Sequence, residues 1–92
     1  MYYVYILLLK TNRLYTGFTN DLKRRITEHK ANKVDTTKNK FVKLMHYEAY
    51  LKKSDAERRE KFLKTTEGKR LLRMQIRDTL IEAGYLNHSE VS

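Results

Sequence analysis

The chain has no cysteine, which excludes a disulfide framework and any thiolate metal site. It has no proline, no linker-like stretch and no internal repeat. One domain over 1–84 is therefore expected, with 85–92 as a frayed tail. Long hydrophobic runs are missing too. Val4 to Leu9 with its flanking tyrosines is far too short to span a bilayer, and it lacks the basic lead-in and small-residue cleavage site of a signal peptide. These absences make the cytoplasm the expected location. Acidic residues are scarce: 11 Asp and Glu stand against 20 Lys and Arg, a formal charge of +9 on 92 residues. That balance favours a polyanionic partner, most simply nucleic acid, although charge alone also fits a merely basic soluble domain. Histidines are few, and the separated His46 and His88 have no acid spacing that suits zinc.

Tyrosine is abundant, with seven copies. Met1 to Leu9 is apolar on both alternating faces, as in a strand covered on both sides. Arg13 to Phe18 reads as its hairpin partner across a Thr11-Asn12 turn, where Asn12 tolerates positive φ. If Leu9 opposes Arg13 across Lys10-Thr11-Asn12, paired residue numbers sum to an even value, and Tyr5 and Tyr15 fall on one sheet face. Thr19 or Asn20 can cap a helix running to about Lys30, with Leu22 and Ile26 on its buried side. Ala31 to Lys40 reads as an exposed, mobile, lysine-rich loop.

Phe41 to Leu51 returns to β character. Ser54-Asp55-Ala56-Glu57 fits a capping box that opens a helix ending near Thr65 to Gly68. A last helix is expected from about Lys69 to Ala83, with Leu72, Ile76 and Leu80 on one face and Gly84 as its stop. The fold class is α+β, a three-stranded antiparallel sheet flanked by helices in the order β-β-α-β-α-α.

Several residues could carry chemistry. Arg25 and His29, four apart, share a helix face, where a guanidinium fork and an imidazole can serve a phosphodiester. A solvated basic face is the simpler reading of that spacing. Glu60 borders the Ala56/Leu63 stripe and could hold a hard cation, or it could pair with Lys64 one turn on. Tyr5 and Tyr15 are phenols in strands, where aromatics are usually core. Lys23, Arg24, Lys38, Lys40, Lys69 and Arg73 are the candidates for phosphate contacts.

Taken together, these residues resemble the GIY-YIG nuclease family. Tyr3-Val4-Tyr5 stands where the family has G-I-Y, and Tyr15-Thr16-Gly17 where it has Y-I-G. Arg25 and His29 follow at its arginine and histidine positions, and Ala56 to Lys61 is similar to the segment bearing its metal-binding glutamate. The chain is most similar to small stand-alone bacterial members related to the excision-repair nuclease subunit. It departs from the pattern at Tyr3, at Thr16, and at Phe18, where that subunit tends to carry lysine.

The resemblance implies metal-assisted hydrolysis of DNA, with structure-specific cleavage in repair or recombination among the roles it allows. Glu60 would hold one divalent ion, expected to be Mg2+, and Arg25 would stabilise transition-state charge. Tyr5 or Tyr15 would orient and deprotonate water with His29 assisting, provided neighbouring cations lower a phenol pKa that is ordinarily about 10. DNA is the implied partner, with a protein partner possible for specificity. A module that binds nucleic acid without cutting it and a protein-docking subunit are the alternatives.

Overall fold

The computed structural model describes residues 1–85. Of the expected frayed tail over 85–92, Tyr85 is instead held: its amide donates to the Leu80 carbonyl at 3.0 Å and its side chain packs on the core. Residues 86–92, including His88, lie outside the described residues. The elements are β1 (Tyr2–Leu9), β2 (Leu14–Thr19), α1 (Leu22–Lys30), a 3-10 turn (Asp35–Thr37), β3 (Phe41–Tyr50), α2 (Lys53–Leu63), α3 (Thr66–Gln75) and α4 (Arg77–Glu82). The strands form one antiparallel sheet in the order β2-β1-β3. This is the expected α+β architecture, with the last helix divided in two.

The doubly apolar β1 takes the central place, and Val4 to Leu9 are all buried. Side chains alternate along a strand, so the six residues serve two cores. Val4, Ile6 and Leu8 pack with Met45, Ala56, Leu63, Leu72, Ile76 and Leu80 beneath α2, α3 and α4. Tyr5, Leu7 and Leu9 pack on the other face with Tyr15, Leu22, Ile26, Phe41 and Leu44 under α1. Register shifts between Ile6 and Leu7 and between Leu8 and Leu9 let β3 follow this division. They turn Met45 into the first core while Leu44 and Phe41 stay in the second.

The hairpin has the expected register. Tyr5 pairs with Gly17 and Leu7 with Tyr15, and the Leu9 amide donates to the Arg13 carbonyl at 2.9 Å. Asn12 takes the left-handed turn position at φ 59.

Four local expectations are corrected. The N-cap of α1 is Asp21, not Thr19 or Asn20. Its carboxylate accepts from the Arg24 amide, because the Thr19 hydroxyl is engaged with the Asp21 amide and holds the turn one residue longer. The Ala31–Lys40 segment is not a free loop, since Val34 and Thr37 are buried and its middle forms the 3-10 turn. The Ser54/Glu57 capping box does not form. Helix α2 starts at Lys53, which places Ser54 inside the first turn, and no side chain caps it.

The last helix begins at Thr66, capped by Thr65 through the Gly68 amide. It breaks at Ile76, where φ is −109 and ψ is 30. The break preserves the Ile76-to-Leu72 and Leu80-to-Ile76 amide bonds, so Leu72, Ile76 and Leu80 all stay buried as their spacing predicts. Gly84 ends α4 at φ 78, as expected of a C-terminal stop.

Candidate active site

The hairpin register puts Tyr5 and Tyr15 on the same sheet face, with ring centroids 6.4 Å apart. Helix α1 lies across that face and lowers His29 onto both rings, 5.6 Å from Tyr5 and 5.5 Å from Tyr15, each edge to face. His29 is fully buried, so Arg25 and His29 do not form the solvated face that their spacing alone would favour. The Tyr5 hydroxyl lies 2.8 Å from His29 Nε2, and His29 Nδ1 lies 2.6 Å from the Thr37 hydroxyl.

The tautomer follows from what each atom must do. His29 is held below the ordinary imidazole pKa, first by burial and then by the positive charge of Arg25, with Glu28 opposing. It is therefore neutral near pH 7, with one donor and one acceptor nitrogen. The buried Tyr5 proton needs an acceptor, and Nε2 is in reach. We assign Tyr5 as donor to Nε2 and Nδ1–H as donor to the Thr37 oxygen.

Arg25 stands one turn before His29. Its guanidinium pairs with Glu28 at 3.1 Å and interacts with the Tyr5 phenol, the main reason its pKa is raised. Tyr5 itself is pushed up, chiefly by burial. Arg25 opposes that shift, while Tyr15 and Glu60 add to it. Tyr5 is thus a phenol at rest: Arg25 acts in the lowering direction expected of a neighbouring cation, and burial outweighs it.

Glu60 reaches this group from α2, close enough to act on the phenol electrostatically. Its carboxylate also pairs with Lys64 at 3.2 Å, so the simple helix-pair reading holds in the geometry as well. No group of three or more His, Cys, Asp or Glu residues suited to a metal occurs among the described residues. Glu60 is a partly buried carboxylate, and a single carboxylate is compatible with magnesium, which commonly takes one or two carboxylates and fills the rest of its shell with water and substrate oxygens. Lys64 is more than half exposed and can swing away.

The six candidate phosphate contacts do not form one patch. Lys23 and Arg24 sit in the first turn of α1. Lys38 and Lys40 follow the 3-10 turn, and the Lys40 carbonyl binds the Lys10 amide at the hairpin end. Lys69 and Arg73 lie with Leu14 and Thr16 on the opposite sheet face. Thr37 had no visible signal in a lysine-rich stretch that reads as loop. The ion-pair group that joins Glu48, Tyr50 and His46 of β3 to Arg59 of α2 was equally hidden.

Comparison with known proteins agrees with this geometry. Residues 1–73 match the family model described as the GIY-YIG catalytic domain. A UPF0213 protein of Staphylococcus haemolyticus is 40% identical over 75 residues, covering 79% of this chain and 92% of the relative. One from Clostridium perfringens is 34% identical over 87 residues, covering 92% and 94%. A UPF0213 protein of Halobacterium salinarum is 39% identical over 62 residues, covering 65% and 80%. No solved structure gives a significant match. No helix among the described residues is long and apolar enough to cross a membrane. The matched span contains both tyrosine strands, Arg25, His29 and Glu60, and with it the chain belongs to the GIY-YIG family, whose catalytic domain is a nuclease fold.

Proposed function

We propose that the protein is a metal-dependent endonuclease that hydrolyses phosphodiester bonds in DNA at the face formed by Tyr5, Tyr15, Arg25 and His29, with Glu60 of α2 acting on it from the other layer of the fold. The observation that supports it most is the convergence of a guanidinium and a neutral imidazole on the single Tyr5 phenol, with the Glu60 carboxylate within electrostatic range of it. Each has a role in the chemistry. Arg25 would pair with the phosphate oxygens and hold them as charge builds in the transition state. Tyr5 would take a proton from the attacking water while passing its own to His29 Nε2, so that no free phenolate forms and the proton rests on imidazolium. Thr37 would keep Nδ1–H engaged and Nε2 open to receive it. Glu60 would hold the divalent ion, which supplies charge neutralisation at the phosphate when bound.

The second reading is a module of the same fold that binds nucleic acid without cutting it. The raised Tyr5 pKa and the Glu60–Lys64 pair favour it. One experiment separates the two: incubate branched, single-stranded and duplex DNAs with wild type and Glu60→Ala, with magnesium and with a chelator. Wild type should cut only with magnesium, and Glu60→Ala should not cut while its affinity in chelator holds or rises, because an unneutralised carboxylate repels phosphate. Well-folded Glu60→Ala cutting as fast as wild type would remove the metal assignment. Binding by both proteins without cleavage would establish the second reading.

A further inference from the structure

We propose that the groove between α1 and β3 binds an unpaired stretch of nucleic acid by stacking a base on Tyr47. This rests on nucleic acid being the ligand, as in the proposed function, and adds where and in what form it is held.

Helix α1 divides the sheet face it covers. On the β2 side it presents Arg25 and His29 to the tyrosine pair. On the β3 side it leaves an open groove of about 610 Å³, lined by Tyr3, Leu44 and Tyr47 from the sheet and by Lys23, Ile26 and Lys30 from the helix. That is room for a base with its sugar, well inside the range of small-ligand sites.

Three features point to the occupant. Tyr47 sits in mid-strand, directly opposite the buried Tyr5, yet the residue is 54% exposed. A large aromatic left in water on a covered sheet face offers a free stacking surface. Tyr3 braces it edge to face, with centroids 6.3 Å apart and planes at 62°, so the Tyr47 ring is positioned before any ligand arrives. Lys23 and Lys30 line the same groove as the two rings and supply cations for a phosphate backbone. The lone acid lining the groove, Asp21, is already engaged with the Arg24 amide as helix cap.

An aromatic platform between cations is the general device for single strands, since every base has a π face and every nucleotide a phosphate. A duplex does not expose its base faces in this way. The groove and the Tyr5 phenol lie on opposite flanks of α1, so a strand held in the groove could continue past the helix to bring a phosphate to the cutting face.

The test is fluorescence anisotropy in a chelator with three labelled probes: a short oligothymidylate, an abasic oligomer of equal length, and a duplex. Tyr47→Ala, whose ring is exposed and whose folding is checked by thermal melting, should weaken thymidylate binding about tenfold. It should leave abasic and duplex binding within about twofold, and Tyr47→Phe should bind as wild type. Wild type should itself prefer thymidylate to the abasic oligomer by a similar factor. Unchanged thymidylate binding by Tyr47→Ala, or an equal loss on all three probes, would overturn the groove while leaving the nuclease reading standing. Wild type binding none of the probes would overturn both.

Discussion

The ring of Tyr5 lies directly across the Cα of Gly17. A methyl group at position 17 would fall 2.2 Å from the ring carbon Cζ and 2.3 Å from the hydroxyl oxygen. The phenol reaches His29 only because its neighbour on β2 has no side chain. Gly17→Ala must push the ring away, which overpacks a closed core and costs about 1–3 kcal/mol. Cleavage should fall far more than stability does, since the displaced hydroxyl leaves hydrogen-bond reach of Nε2. Melting curves and cleavage rates on the same preparation check this, and undiminished cleavage by Gly17→Ala would contradict the role given to Tyr5.

Thr37 should behave as a positioning residue. Thr37→Val leaves Nδ1–H of His29 buried without its partner, a cost of about 1–3 kcal/mol, and frees the ring to lose its orientation. Thr37→Ser restores the hydroxyl and should rescue cleavage. Because His29 is held below the ordinary imidazole pKa, wild-type cleavage should persist somewhat below pH 6.5 before it fails. Native-state neutrality also means that the unfolded chain binds the proton first. Stability should therefore drop as pH falls through 6.5 toward the lower native value. An acid limb centred above 6.5 would oppose the assignment.

Glu48 carries a separate, structural prediction. Burial pushes its carboxyl up, but hydrogen bonds from Arg59, Tyr50 and His46 outweigh that and hold it at about 2 against 4.5 for a free glutamate. The same contact helps burial push Tyr50 up to about 12. The stabilisation is present above pH 4.5 and is lost as pH falls from there to about 2. Its size is on the order of 2–3 kcal/mol. Glu48→Gln should flatten the urea-unfolding free energy over that window and destabilise the protein at pH 7, because Arg59 keeps its charge in a largely buried place.

Arg25→Ala should slow cleavage far more than it weakens binding, because its contact with phosphate strengthens chiefly in the transition state. Single-turnover rates and anisotropy measured in parallel decide it. Equal losses in both would make Arg25 an ordinary phosphate contact.

Binding should depend steeply on salt, with each phosphate contact adding about 0.9 to the log–log slope on duplex DNA. Lys23 and Arg24 share a helix with Arg25, so replacing both with Ala should lower that slope by about 1.8. Replacing Lys69 and Arg73, on the far sheet face, tests whether a bound duplex wraps the β2 edge. An affinity flat in salt would count against any nucleic-acid role.

Periodicity and turn chemistry made the central strand and its hairpin partner legible, and with them a register that puts Tyr5 and Tyr15 on one face, which the structure then selected. These depend on alternation over a few residues and on one asparagine that accepts positive φ. The order of motifs then made the family legible over nearly the whole domain. Only the tertiary structure decided what lies between distant segments. It buried His29 between Tyr5 and Thr37, joined Glu48 to Arg59, and left Tyr47 open beside Tyr3. It also decided the helix ends, moving one cap to Asp21 and dissolving the Ser54/Glu57 box. A local pattern states which side chains can share a face. Which of them are covered, and by what, depends on how α1 crosses the sheet, and that is set by the packing of both cores together.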